Sequence, residues 1–197
     1  MKARESGMPE QSVWDGFFDP PSILARLGLD AACRDVVDFG CGYGTFTIPA
    51  ARVVSGMAHA LDIEPAMIAA VSDKARQAGL TNVQTRQRDF LTEGTGLPDA
   101  SVGYAMLFNL LHAEHPERLL VEARRALRPG GVLAIMHWRS DIPTPRGPSM
   151  AIRPAPAQCR TWAMAAGFEP RHGGTIDLPP YHYGLVLRRP IAPTGDR

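Results

Sequence analysis

The segment Val36-Val37-Asp38-Phe39-Gly40-Cys41-Gly42-Tyr43-Gly44-Thr45-Phe46 constrains this chain more than any other. Apolar, β-branched residues run into an acid, and three glycines then alternate with other residues before a helix-compatible stretch begins. Glycine is required where the backbone must take positive φ or approach a ligand with no Cβ in the way. The helix start behind such a turn offers free N–H groups to an electron-rich partner. The expected local structure is a strand, a tight turn and a helix opening onto a ligand. A dinucleotide fingerprint needs a third glycine in G-x-G-x-x-G. From Gly40 that position is Thr45, and from Gly42 it is Thr47, so neither register completes it.

A chain of 197 residues suffices for one domain with a buried core. Its 45% apolar and 21% charged content is that of soluble globular proteins. A net charge of +1 carries no commitment to nucleic acid or to an anionic membrane. No apolar run approaches the roughly 20 residues that span a bilayer. The stretch from Met1 to Glu10 lacks the apolar region of a signal peptide. Cys33, Cys41 and Cys159 are odd in number and show no paired spacing for zinc, so no metal is expected and a reducing cytoplasm fits.

After the glycines the pattern alternates. Residues 47–54 read as a short helix. Residues 58–63 read as a strand ending in Asp62, 18 residues beyond Gly44, near the spacing of an acid that grips a ribose diol at the next strand's end. Glu64-Pro65 opens a helix that stops at Gly79. Residues 83–88 form a third strand, followed by Asp89-Phe90, and residues 102–109 a buried fourth strand ending in Asn109. Leu119, Leu120, Ala123 and Leu127 carry helical spacing from Pro116, closed by Arg128-Pro129-Gly130-Gly131. A fifth strand spans 132–136, a helix 157–166, and two last strands lie around 171–178 and 183–188.

The Asp-x-Gly-x-Gly-x-Gly pattern, together with the block from Glu122 to Leu133, resembles class I S-adenosylmethionine (SAM)-dependent methyltransferases of the small-molecule type, with a methyltransferase-11/25-like core. The resemblance runs from about Val36 to Arg189. It implies an α/β, Rossmann-like, seven-stranded sheet of order 3-2-1-4-5-7-6, with strand 7 antiparallel and helices on both faces. It implies one domain over 1–197, with residues 1–30 an N-terminal arm or lid and 34–190 the core. The implied cofactor is SAM, with S-adenosylhomocysteine (SAH) as product, and the implied activity is methyl transfer to a small molecule, by a monomer or homodimer. An RNA or protein methyltransferase and a catalytically silent SAM-binding regulator are the alternatives. Nucleic acid is disfavoured because no basic stripe or added binding domain accompanies the core.

On that resemblance Gly40, Gly42 and Gly44 line the aminoacyl and ribose portion of the cofactor, Asp38 takes its ammonium, and Asp62 with neighbouring Ile63 takes the ribose. Asp89 and Phe90 take the adenine, and Asn109 and Leu110 flank the methionine portion. His112 and His137 are the candidate bases, at the ends of the fourth and fifth strands. Trp14 and Phe18 on the arm, Trp138 after the fifth strand, and Tyr181 are expected around the substrate. The loop from Trp138 to Pro156, with Arg139, Asp141, Arg146 and Arg153, is the other expected wall; its three arginines suit a carboxylate or a phosphate. The chain departs from the family in two places. Val102-Gly103-Tyr104-Ala105 stands where the fourth strand commonly begins with Phe-Asp-x-Val, and Asn109-Leu110-Leu111-His112 replaces the Asn-Pro-Pro-Tyr of adenine-N6 and glutamine-N5 methylation.

Overall fold

A computed structural model describes residues 10–171 and 174–191. Residues 1–9 of the expected arm, and the chain end from 192, lie outside the described residues. In chain order the elements are α1 (Gln11–Asp15), α2 (Pro20–Arg26), β1 (Val36–Phe39), α3 (Thr47–Val53), β2 (Ala58–Asp62), α4 (Pro65–Gln77), β3 (Val83–Gln87) and β4 (Val102–Phe108). They continue with α5 (Pro116–Ala126), β5 (Leu127–Trp138), α6 (Pro156–Ala165), β6 (Glu169–Pro170), β7 (Ile176–Leu178) and β8 (His182–Arg188). Pro49 does not break α3 because it sits in the first turn, where its missing N–H has no helical partner to lose.

The strands form one sheet of order β3-β2-β1-β4-β5-β8-β6, with β7 also paired to β8. β1 to β5 run parallel, and β8 is antiparallel to both β5 and β6. This is the expected order, with β8 in the role of strand 7. The outermost position differs from a single strand over 171–178. β6 pairs with the Leu187–Arg188 end of β8 and β7 with its His182–Gly184 end, so two short strands share one edge.

Both sheet faces are covered, which is why β1 and β4 are buried at every position instead of alternating. Val37, Ala105 and Leu107 point to the side packed by α5 and α6. Val36, Tyr104 and Met106 point to the side packed by α2 and α3. The second half of the arm is therefore core: Ile23 and Leu24 of α2, with Leu27 just after it, are buried.

The Pro-Gly-Gly turn is a bulge inside a longer strand. Leu127 pairs with Val102, but Val132 pairs with Tyr104, so the residues between swing out, with Gly130 at φ 77. The missing fourth-strand aspartate has a local reason. A Cβ built at Gly103 would run into the backbone carbonyl of Cys33, which lies against this strand. The contact is secured by Gly103 N–H and Tyr104 N–H, which both donate to Asp35 O, at 2.9 and 3.2 Å, and by the Arg128 guanidinium, which donates to Ala32 O at 2.8 Å. No helix among the described residues is long and apolar enough to cross a membrane.

Candidate active site

The C-terminal ends of β1, β2 and β4 converge on a cavity of about 410 Å³. Open parallel sheets place ligands at this edge, where helix N-termini and strand ends meet. Gly40 and Gly42 line it, at φ 67 and 50. A Cβ on Gly40 would come within 3.1 Å of Leu110 Cδ2 and 3.7 Å of Phe90 Cζ, so the absent side chain is what keeps this part of the cavity open. Gly44 does not line it. A Cβ there would meet Val71 Cγ2 at 3.0 Å, so the third glycine lets α4 pack against the turn, a task like that of the last glycine in a dinucleotide turn.

Two buried carboxylates stand beside the glycines. Asp38 Oδ2 accepts the Thr47 hydroxyl at 2.6 Å. Burial, with the nearby charge of Asp62, pushes its pKa up to about 7 despite that bond. Asp62 accepts from the Gly42 N–H at 2.9 Å and the Glu64 N–H at 3.0 Å, fastening the glycine turn to the end of β2; burial raises its pKa also. Each carboxylate oxygen retains a further lone-pair direction for a ligand.

Asp38 gives the ligand-free protein a pH signature. Its folded pKa lies above its ordinary value of 3.8. Between about pH 4 and 7 the unfolded chain releases a proton that the folded protein keeps, so stability falls as pH rises through this window, by at most about 1.4 kcal/mol per pH unit. Asp38→Asn should remove this contribution. Urea unfolding of both proteins at several pH values checks it: the stability difference between them should change between pH 4 and 7, and a constant difference rejects the assignment.

The remaining expected positions are arranged as follows. Ile63, Asp89, Phe90, Asn109 and Leu110 all line the cavity. Asp89 also accepts from Leu91 N–H, shaping the turn after β3. Asn109 has left-handed backbone, φ 58, and its side-chain nitrogen and oxygen are both buried with no partner among the described residues. A strained residue with an unsatisfied amide at a cavity wall points to a ligand that supplies the missing bonds.

His112 lines the cavity; His137 does not, being fully buried behind it. Burial and the neighbouring His112 push the His137 pKa down to about 3, so it stays neutral. Its Nδ1 lies 3.2 Å from Trp138 O, which can only accept, so Nδ1 carries the proton. Nε2 of His137 must then accept from His112 Nδ1 at 3.2 Å, which leaves Nε2 of His112 as the basic nitrogen. His112 is itself held below its ordinary pKa by burial and by Arg153, which keeps it unprotonated near neutrality. The two candidate bases thus form a relay with His112 in front. His115 caps α5 beside Glu117 and is exposed.

The arm lies along the same edge. Trp14 lines the cavity, and the Thr45 hydroxyl donates to Asp15 Oδ1 at 2.7 Å, tying α1 to the glycine turn. Phe18 does not line the cavity but packs on Phe46 and His182, and Tyr181 stands behind Phe17 and Trp138. Trp138 reaches the cavity, as do Arg146, Gly147 and Pro148 of the following loop. Among the described residues no group of three or more His, Cys, Asp or Glu side chains is placed to hold a metal.

A family model described as a methyltransferase domain matches residues 36–131, the segment that supplies the glycine turn, the acids and Asn109. Residues 36–131 carry the likeness to a methyltransferase domain. The described part of the chain has the fold of such domains: a SAM-dependent methyltransferase from Aquifex aeolicus superposes with a TM-score of 0.79 over 91% of this chain and 94% of its own, at 23% identity. The 4+2 cyclase SpnF superposes with a TM-score of 0.74 over 95% of this chain and 84% of its own, at 20% identity. Ribosomal protein L11 methyltransferase of Dechloromonas aromatica is 34% identical over 108 residues, 54% of this chain, but this chain spans only 33% of that protein.

Within the matched segment, sequence reasoning missed Thr47 as the partner of Asp38, and Arg88, Phe46 and Phe108 as cavity residues. Phe108 precedes Asn109 at the strand end and was within reach of the strand reading. Thr47 carries no such signal, since its hydroxyl is aimed at Asp38 by the turn geometry alone.

Proposed function

We propose that this protein is a SAM-dependent methyltransferase acting on a small-molecule acceptor, with His112 as general base. The observation that carries the reading is that two buried carboxylates, Asp38 and Asp62, the glycine turn and half-buried His112 line one cavity. The residues fit SAM. Asp38 would take the ammonium, and the backbone of Gly40 and Gly42 would lie along the aminoacyl and ribose portion, with Gly44 supporting the turn from behind. Asp62 and Ile63 would hold the ribose, Asp89 and Phe90 the adenine. Asn109 and Leu110 would flank the methionine portion, where the unsatisfied amide finds its partners. Bound SAM supplies an electrophilic methyl group on a cationic sulfur.

This chain's residues then have three tasks. The glycine turn and the acids orient the donor, which in an in-line displacement is most of what catalysis requires. Trp14 and the loop around Gly147 wall the cavity and keep water out. His112 Nε2 accepts the proton that an O–H or N–H acceptor must lose, and His137, fixed on Trp138 O, keeps that nitrogen basic. His137 is in this reading a positioning residue. His112→Gln should lower the transfer rate by roughly 10²–10⁴-fold. SAH affinity by calorimetry should stay within about twofold. An unchanged rate would remove His112 from the base role.

A protein acceptor is the second reading, favoured by the likeness to a ribosomal protein L11 methyltransferase. Methyl-labelled SAM, incubated with the protein and a cell extract that is then fractionated, separates the two. Label in the metabolite fraction is expected; label in protein or RNA would overturn the small-molecule acceptor. No label, with no binding of SAM or SAH by calorimetry, would overturn the methyltransferase reading itself.

A further inference from the structure

Apart from Arg88, whose guanidinium is turned to Glu93 and to the Glu93 and Gly94 carbonyls, the charge in the cavity is segregated. The acids Asp38 near the end of β1, Asp62 at the end of β2 and Asp89 just after β3 stand on one side of the sheet centre. On the β4–β5 side the cavity meets His112, Trp138 and Arg146. Behind that wall lies Arg153, 8% exposed, which donates to Pro148 O at 2.8 Å, to Arg139 O at 2.9 Å and to Arg146 O at 3.2 Å, with its guanidinium 5.8 Å from the Trp138 ring. Among the described residues neither Arg146 nor Arg153 has a carboxylate at ion-pair distance, while Asp141 and Asp177 both face Arg139. A buried guanidinium satisfied only by carbonyls keeps its full charge, and that charge acts on the cavity at low dielectric.

The loop that carries Arg146 is fixed. Gly147 lies so close over Trp138 that a Cβ would come within 2.9 Å of the indole, and Arg153 holds the carbonyls on either side of that glycine. A loop pinned at three carbonyls and seated on an aromatic ring fixes the backbone that carries Arg146, whose exposed side chain lines the cavity.

We infer that this end of the cavity is a carboxylate site: the molecule that enters beside Trp138 and His112 is a small aromatic or otherwise flat acid whose carboxylate is received at Arg146. Arg153 is the positioning residue that fixes the loop and adds the positive field. Only the assignment of this end to the methyl acceptor rests on the methyltransferase reading; the anion preference rests on the charges and the loop.

Tryptophan fluorescence tests it, since Trp14 and Trp138 line the cavity. With SAH present, the protein is titrated with benzoate and with neutral benzyl alcohol. Benzoate should bind about tenfold more tightly or better, and Arg146→Gln should abolish that preference while leaving SAH affinity by calorimetry unchanged, as expected for a charge-assisted bond lost. Equal or absent binding of the two probes overturns the site, as does a benzoate preference that survives Arg146→Gln. A variant that loses SAH affinity but keeps its benzoate preference also overturns it, by giving Arg146 to the cofactor. If SAH fails to bind at all, the methyltransferase reading falls, and the same benzoate titration of the free protein still decides the anion site.

Discussion

Replacing Gly103 by alanine is expected to destabilise this domain by more than about 3 kcal/mol, at the upper end of what overpacking costs. The obstacle is backbone: the new Cβ would meet the Cys33 carbonyl, with the Cys33 carbonyl carbon at 2.9 Å and an Arg128 guanidinium nitrogen at 3.1 Å. No rotamer relieves such a clash, so either β4 or the 3-10 turn over Ala31–Cys33 must move. Both N–H donations to Asp35 O would be strained with it. Thermal unfolding should show the midpoint falling by roughly 6–12 °C for a domain of this size. Gly174→Ala is the control, because nothing among the described residues lies within 4 Å of its Cβ position, and it should be close to neutral. Equal midpoints for the two variants would reject the packing account. The same contact explains why the chain lacks the aspartate that the family places at this strand start, since any side chain here would need the space that the carbonyl occupies.

Asp62→Ala should weaken SAH binding by roughly 1.5–3 kcal/mol, about 10- to 150-fold, the range for hydrogen bonds to a charged group. The geometry adds a second effect. The Gly42 and Glu64 N–H groups lose their acceptor, and leaving buried donors unpaired costs about 1–3 kcal/mol of folding stability. Asp62→Asn separates the two, because the amide oxygen can retain one N–H donor while the full negative charge is gone. Calorimetric affinity and urea unfolding, measured on both variants, should show alanine losing affinity and stability together. Asparagine should lose mainly affinity. Unchanged SAH affinity in the alanine variant would remove Asp62 from the ribose role and leave it a purely structural clamp.

Much of this protein is legible in the residue order. The glycine turn after Asp38, the acid at Asp62, the helix from Pro116 and the antiparallel final strand are local patterns, or follow from how parallel strands must be connected, and each appears where its pattern stands. The edge of the sheet is less legible. Whether the segment after Phe168 forms one strand or two is settled by which parts of β8 are available for pairing, and that depends on distant partners.

The amino-acid sequence by itself determined the fold class, the site's position at the ends of the parallel strands, and most of the residues gathered there, because periodicity, glycine chemistry and strand-end acids act over short stretches of chain. The tertiary structure alone decided their division of labour. It placed Gly44 under α4 instead of in the cavity, set His137 behind His112 so that of these two histidines His112 alone lines the cavity, and turned Asp62 into a clamp on the glycine turn. Among the described residues it also left Arg146 and Arg153 without an acid while Arg139 took two. These outcomes depend on burial and on which group lies within about 3 Å of which, quantities that arise only when segments far apart in the chain are packed together.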